Sequence, residues 1–273
     1  MPKFYYPNGE LIEKRENFID FYSKVYYYLN ADIALEKEME EILERSGGLT
    51  KDNIVDIFRW KIGATNYNRN KLIVESQYLQ GENAISLMPV WDLVDDWQSD
   101  GTDKKLQENP DSEETDKTAE DVFAKLIKCP DIGPVYAITL LYFLSKGTYP
   151  IYDKFADLAL KAITEDTYGF TEEGNLKDLI PYSDLKDLIS KEELKAIREN
   201  EKKNDAKEMF LAYKRYISLL QTVLENDYSE YKTNRDYDRA LWVYGHLFNQ
   251  TETNKKRLGP ENSPDSKGNP DTY

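Results

Sequence analysis

Apolar residues recur every three or four positions along most of this chain, a spacing typical of amphipathic helices. The first predicted helix is rich in aromatic residues, and Gly47-Gly48 ends the second, as glycine commonly does after a helix. Outside a central segment, the pattern predicts helices at about 18–29, 32–45, 50–60, 83–97, 183–200, 205–226 and 234–248.

Two segments lack this periodicity. Residues 99–117 are acidic and nearly free of apolar side chains, which predicts a long exposed loop. Residues 249–273 are rich in Pro, Gly, Asn and Lys, which predicts a flexible tail. We therefore expect a single helical domain over 1–248 that contains the acidic loop.

Composition supports a helical protein with a sizeable core. The chain has 273 residues, of which 40% are hydrophobic and 32% charged, with 13 Gly and 11 Pro. The single cysteine, Cys129, excludes an internal disulfide and a Cys-rich metal site, so we expect neither metal nor cofactor. No run of 18 apolar residues and no signal-peptide core occurs, so we expect a cytoplasmic protein without a membrane partner.

The formal net charge is −15, which argues against nucleic-acid binding because a duplex repels an acidic surface. The charge is uneven, since residues 92–121 hold twelve acidic side chains against three lysines. The rest of the chain is much closer to neutral and leaves room for a basic face, while the acidic surface would suit a protein partner.

Residues 118–163, which we call the central unit, read as a helix–hairpin–helix followed by a third helix. Thr118 and Asp121 suggest a capping box at the start of the first helix. A sharp turn ending at Gly133 follows, and Pro134 suits the first position of the second helix, where a missing N–H costs nothing.

The central unit resembles the helix–hairpin–helix DNA glycosylase superfamily typified by endonuclease III. Cys-Pro-Asp-Ile-Gly at 129–133 takes the place of the hairpin pattern, and Ile-Tyr-Asp-Lys-Phe-Ala at 151–156 that of the segment holding the catalytic aspartate. Asp153 lies at the family spacing after Gly133. The match covers about 45 residues, and the chain would be a divergent member.

The resemblance implies that backbone N–H groups around Ile132, Gly133 and Val135 hold a DNA phosphate at a helix N-terminus. It also implies that Asp153 stabilises the positive charge that develops on the sugar as the glycosidic bond of a flipped nucleotide breaks. The alternatives are a tight interhelical turn at Gly133 and simple helix capping by Asp153.

Three departures from the family pattern matter. Val135 stands where bifunctional members carry a nucleophilic lysine, so this position cannot support a Schiff-base lyase. Asp131 replaces the first hairpin glycine, and its carboxylate would either repel phosphate or hold a cation. A four-cysteine iron–sulfur loop is impossible with one cysteine.

The segments around Trp60-Lys61 and Arg239–Trp242 resemble segments of bacterial proteins with this fold. The resemblance suggests that Lys61 and Arg239 contact phosphate, and that Trp60, Tyr152 and Trp242 line a cleft or stack on a base. The alternative is core tryptophan flanked by surface charge. The only histidine, His246, would lie near a helix C-terminus, which favours a positive charge there.

We therefore predict an all-α, glycosylase-like protein that binds DNA and, if active, is a monofunctional N-glycosylase using Asp153. The main alternative is a non-catalytic module that keeps the fold for nucleic-acid or protein contact. A purely structural interaction protein is the third reading, which requires that no basic face exists.

Overall fold

A computed structural model describes residues 2–7, 10–29, 33–62, 72–73, 85–108, 112–130, 132–165, 206–225 and 235–257. Helices account for 76% of the described residues, which confirms the all-α prediction. In chain order they are α1 Arg15–Leu29, α2 Ile33–Glu44, α3 Lys51–Ile62, α4 Met88–Asp100, α5 Thr102–Leu106, α6 Glu113–Leu126, α7 Pro134–Leu144, α8 Lys154–Glu165, α9 Ala206–Leu224 and α10 Asp236–Arg257.

Four two-residue strands form two small pairs within the described ranges. The antiparallel pair joins β1 Phe4–Tyr5 to β2 Leu11–Ile12, and the parallel pair joins β3 Leu72–Ile73 to β4 Ile85–Ser86. Pairs this short do not change the fold class.

The predicted loop at 99–117 is wrong. Gly101, in the left-handed conformation at φ 80°, ends α4 and begins the short α5, and α6 begins before the predicted loop ends. Leu106 is fully buried, so one apolar residue fixes α5 to the core. Helix α5 was not predicted because a five-residue helix with a single apolar residue shows almost no helical periodicity.

The predicted capping box at Thr118 and Asp121 is also wrong. The cap of α6 is Ser112, whose side chain accepts a hydrogen bond from the Thr115 amide at 3.1 Å. The Thr118 hydroxyl lies inside the helix and donates to the carbonyl of Glu114 at 2.9 Å.

The buried helix α7 lies at the centre of the fold. Its residues from Ala137 to Leu144 are all buried, and a helix that is apolar all round belongs inside a protein. It packs against α3 and α6, while α9 packs against α6 and α8. The hydroxyl of Thr139 donates to the Val135 carbonyl at 2.8 Å, so this polar atom is satisfied within the helix.

The C-terminal helix α10 packs between α1 and α8. Gly245 permits the contact with α8, because a Cβ atom there would lie 1.9 Å from the carbonyl oxygen of Phe155. This close approach holds the N-terminal end of α8, and with it Asp153, against α10.

Several predictions fall partly or wholly outside the described residues. Helix α10 continues to Arg257, so the predicted helix end at 248 and the predicted flexible tail are wrong over residues 249–257, while residues 258–273 lie outside the described ranges. The predicted helix at 183–200 and the side chain of Asp131 also lie outside them. Among the helices described, none is both long enough and apolar enough to cross a membrane.

Candidate functional site

The hairpin turn joins α6 to α7 and ends at Gly133. Ile132 is buried, and its amide donates to the Cys129 carbonyl at 3.2 Å. Gly133 has φ −83° and ψ 172°, a conformation open to any residue, and a Cβ atom there would meet nothing within 4 Å. Neither backbone conformation nor internal packing therefore requires glycine at this position.

The first turn of α7 presents the features of an anion-binding end. Pro134 occupies the first helical position, Val135 is 37% exposed, and the Gly133 cap makes no side-chain hydrogen bond to the amides of this turn. Lys125 and Lys128, which precede the turn, are exposed. Positive charge therefore accompanies the hairpin on its N-terminal side.

Asp153 lies directly before α8 and makes two interactions. Its Oδ1 accepts a hydrogen bond from the Phe155 amide at 2.8 Å, so it caps the helix, and its Oδ2 lies 3.7 Å from the Nζ of Lys61. The Asp153 side chain is 24% exposed. Asp153 is therefore a helix cap whose carboxylate also has an ion-pair partner and access to solvent.

Lys61, near the end of α3, is the cation of this pair. Its side chain is only 12% exposed, and its Nζ donates to the Tyr152 carbonyl at 3.2 Å. Burial lowers the pKa of Lys61, the charges of Asp153 and Asp238 oppose that shift, and the charge of Arg235 adds to it. The amine is held in a partly desolvated position between carboxylates.

A buried charge network lies beside this pair. Its centre is Glu36 of α2, whose side chain is 2% exposed. Burial alone would raise the pKa of Glu36, but its charged and hydrogen-bonded neighbours outweigh burial and lower it. The donors to its two oxygens are Tyr26 at 2.8 Å, Trp60 at 2.5 Å, Arg235 at 2.8 Å and Arg239 at 3.1 Å.

Two residues that the sequence suggested for DNA contact, Arg239 and Trp60, belong to this network. The Arg239 side chain is 2% exposed and binds Glu36, Glu40 and Asp236, so it offers no free face to a phosphate. Trp60 donates its indole N–H to Glu36, and the Arg235 guanidinium lies 4.5 Å from its ring centroid. Both side chains therefore bind Glu36 inside the protein.

The other predicted cleft residues are half-buried. The ring of Tyr152 meets Tyr216 edge-on at 5.1 Å, and its carbonyl accepts from Lys61. The ring of Trp242 lies 3.7 Å from that of His246. These contacts place Tyr152 with the Lys61–Asp153 pair and Trp242 on the neighbouring α8–α10 contact.

His246 does not lie at a helix C-terminus, because α10 continues for eleven residues beyond it. The His246 ring lies between the rings of Phe155 and Trp242, with 3.4 Å between the His246 and Phe155 ring centroids. The Nδ1 of His246 is 3.1 Å from the Trp242 carbonyl oxygen. Burial lowers its pKa. The expected helix-dipole role is therefore wrong.

Asp238 is a buried carboxyl group that the sequence did not single out as functional. Its Oδ2 lies 3.5 Å from Arg235, whereas its buried Oδ1 has no hydrogen-bond partner among the residues that the structure describes. Burial raises the pKa of Asp238, while the charges of Arg235 and Lys61 oppose that shift. An unsatisfied buried carboxylate is costly and is more typical of a functional position than of a core position.

Glu36 was missed altogether, although the sequence held a signal for it. It lies three residues before Met39 and therefore shares the apolar face of α2, where a charged residue needs a buried partner. Nothing local indicated that the partners would be Arg235, directly before α10, and Arg239, in its first turn.

Two surface hollows lie elsewhere. One, of about 530 Å³, is lined by Tyr6 and residues of α1, and the other, of about 470 Å³, lies among the ends of α2, α4, α5 and α7. Asp153 and Gly133 line neither of them. Among the described residues, no group of three or more His, Cys, Asp or Glu side chains is placed to hold a metal ion.

Comparison with known proteins adds no relative to this picture. The chain matches no protein-family model, and no curated protein or solved structure is significantly similar to it. The site is defined by a capping aspartate paired with a buried lysine, in a chain that also carries a helical hairpin between α6 and α7.

Proposed function

We propose that this protein binds DNA through the hairpin of a glycosylase-like fold and releases a base as a monofunctional N-glycosylase, with Asp153 as the essential carboxylate. The observation that carries the proposal is the position of Asp153. It follows the hairpin and α7, is fixed by the α8 cap and by Lys61, and keeps part of its carboxylate exposed.

The chemistry follows from a fixed negative charge. When a glycosidic bond breaks, positive charge develops on the sugar, and a carboxylate held beside it lowers the barrier without having to reorganise. The cap and the ion pair hold Asp153 from two sides, which supplies that preorganisation. Water then completes the hydrolysis.

DNA binding would use the N-terminal end of α7. The amides of its first turn, the open space at Gly133 and the exposed Lys125 and Lys128 all suit a backbone phosphate. Arg239 takes no part, because its guanidinium is bound inside the protein.

The second candidate is a non-catalytic module of the same fold that contacts nucleic acid or protein. The formal net charge of −15 favours it, as does Val135, which cannot act as a nucleophile. The two candidates differ in whether bound DNA loses a base.

Gly133→Ala tests the DNA contact. Because φ at this position suits alanine and nothing crowds the new methyl group, the gain from a stiffer unfolded chain offsets the poorer N-cap, and the variant should be about as stable as the wild type. The methyl group would occupy the space where a phosphate approaches, so duplex affinity should fall, with salt dependence measured for both proteins. Equal affinities would remove the hairpin from the proposal.

Asp153→Asn tests the chemistry. Asparagine caps helices as well as aspartate does, so the variant should keep the cap of α8 while it loses the charge and the ion pair with Lys61. Circular dichroism of the variant checks that the protein remains folded. Base release from a panel of damaged duplexes should fall by several orders of magnitude. Binding without base release by the wild type would leave only the non-catalytic module, and absence of binding would leave neither.

A further inference from the structure

Residues 150–153, which we call the link segment, join the region after α7 to α8 and have no regular secondary structure. Pro150 and Ile151 are nevertheless buried. A buried segment outside helices and sheets must find other hydrogen-bond donors for its backbone carbonyl groups, because an unpaired buried carbonyl is costly. The groups that supply those hydrogen bonds therefore determine where the link segment lies.

Two tyrosines of α9 supply hydrogen bonds to the link segment. The hydroxyl of Tyr213 donates to the Pro150 carbonyl at 2.5 Å, and the hydroxyl of Tyr216 donates to the Ile151 carbonyl at 3.1 Å. Each tyrosine is only 2% exposed. The two lie three residues apart and therefore share one face of α9. One helix face thus binds two consecutive carbonyl groups of the link segment.

The next carbonyl of the link segment is bound from another helix. The Nζ of Lys61, on α3, donates to the Tyr152 carbonyl at 3.2 Å. The ring of Tyr152 also packs edge-on against the ring of Tyr216, with 5.1 Å between the ring centroids. Three consecutive carbonyl groups are therefore bound by side chains of α3 and α9, which hold the link segment from two helices.

The link segment ends at Asp153, so its position determines where the Asp153 carboxylate lies. The Oδ1 of Asp153 accepts from the Phe155 amide at 2.8 Å, and its Oδ2 lies 3.7 Å from the Nζ of Lys61. A displacement of about 1 Å in a group that acts on substrate can slow a reaction by about 10²-fold. Hydrogen bonds that fix the backbone just before Asp153 therefore bear on its chemistry.

We infer that Tyr213 and Tyr216 are positioning residues, which hold the link segment and thereby fix the Asp153 carboxylate for base release. The inference rests on the proposed function, in which Asp153 is the essential carboxylate. Burial raises the pKa of Tyr216 well above its ordinary value, so the hydroxyl keeps the proton that it donates to the link segment. The two tyrosines act on Asp153 through the backbone.

Tyr216→Phe in the full chain tests this inference. The substitution removes one hydroxyl group but keeps the ring that packs against Tyr152. The Ile151 carbonyl then loses its donor in a buried site, so the link segment should shift. The kcat for base release from a damaged duplex should fall by about 10-fold to 10²-fold, while KM stays within about twofold because the hairpin is unchanged.

Tyr213→Phe is a second, independent variant. It removes the hydroxyl group that binds the Pro150 carbonyl, one residue earlier in the link segment. Its kcat should fall in the same way, with KM again little changed. If kcat stays at the wild-type value in both Tyr213→Phe and Tyr216→Phe, the inference is overturned.

Tyr22→Phe is the matched control. Tyr22 is also fully buried, and its hydroxyl donates to a backbone carbonyl, that of Tyr5 in β1, at 2.8 Å. The control should lower the thermal midpoint about as much as Tyr216→Phe does, but its kcat should equal that of the wild type. An equal fall of kcat in Tyr22→Phe and Tyr216→Phe would show a general loss of stability and would overturn the inference.

Hydrogen exchange of the Phe155 amide gives a readout that needs no activity. Because this amide donates to Asp153, its exchange rate reports whether the carboxylate stays in place. In Tyr216→Phe the Phe155 amide should exchange about tenfold faster, the change expected for the loss of one hydrogen bond. In Tyr22→Phe it should change only as much as the amides of the buried α7, which report opening of the whole protein.

The two readouts separate this inference from the proposed function. A wild-type protein that releases bases, with Tyr216→Phe equal to Tyr22→Phe in kcat and in Phe155 exchange, overturns the positioning role alone. A wild-type protein that releases no base overturns the proposed function. In that case, faster Phe155 exchange in Tyr216→Phe alone would still support placement of Asp153 by α9, and equal exchange in the two variants would overturn that as well.

Discussion

Glu36→Gln is the sharpest test of the buried charge network. Glutamine keeps the shape of the side chain but removes its charge, and its NH₂ group must face a donor, because all four groups around Glu36 donate. The arginines Arg235 and Arg239, with side chains 3% and 2% exposed, would lose their shared negatively charged partner in a buried site.

The magnitude follows from what each arginine retains. Breaking a buried ion pair from one side costs about 3–5 kcal/mol. Arg239 keeps Glu40 and Asp236, and Arg235 keeps Asp238 at 3.5 Å, so we expect the lower end, about 3 kcal/mol. For a protein of this size, that loss lowers the thermal midpoint by roughly 6–12 °C.

Urea unfolding followed by far-ultraviolet circular dichroism measures the effect. The matched control is Glu40→Gln, which removes another partner of Arg239. Because the Glu40 side chain is 41% exposed, this substitution should lower the free energy of unfolding by less than about 1 kcal/mol. The difference in free energy of unfolding between the wild type and Glu36→Gln should become smaller as the pH is lowered. The folded-state pKa lies below the usual 4.5, so the stability that Glu36 contributes is present above that pH and is lost as pH falls through the folded value. A Glu36→Gln protein as stable as Glu40→Gln at neutral pH would refute the reasoning.

Three other predictions use unfolding measurements. Gly245→Ala should destabilise the protein by up to about 2 kcal/mol, because the collision of the methyl group with the backbone of Phe155 costs about 1–3 kcal/mol and the helix-propensity gain offsets about 1 kcal/mol of it; a variant more stable than the wild type would contradict the close α8–α10 contact. His246→Phe should gain stability relative to wild type as pH falls below 6.5, because the folded-state pKa of His246 is lowered and unfolding then takes up a proton; a pH-independent difference would contradict this. Asp238→Asn should gain stability relative to wild type as pH rises above 3.8, because the raised pKa keeps a proton on the folded protein that the unfolded chain has lost; a difference that moves the other way would show that Arg235 dominates.

Local patterns in the sequence predicted several of the helices and the turn before α7. Apolar residues at helical spacing predicted α1, α2, α3 and α9 to within a few residues, and the turn at Gly133 with Pro134 predicted the start of α7. These features depend on residues close together in the chain, and short-range signals of this kind can be read directly.

The same reasoning fails where a helix depends on few local residues. Helix α5 is five residues long with one apolar anchor, Leu106, and the first turn of α6 is acidic, so their composition matches that of a loop. Their helical state depends on burial of Leu106 and on the Ser112 cap, and neither has a periodic pattern.

Only the tertiary structure decided which charged groups meet. Glu36 and Arg235 are 199 residues apart in the chain, and Lys61 reaches the Tyr152 carbonyl across 91 residues. Helical periodicity shows which face of a helix is buried, but not which helix covers it. The sequence alone therefore supplied Asp153 and the hairpin as candidates. The packing of α2, α3, α8 and α10 then placed a lysine beside Asp153 and buried Arg239. The physical reason is that the pairing of charges far apart in the chain depends on how helices pack together, and not on the order of residues within a single helix.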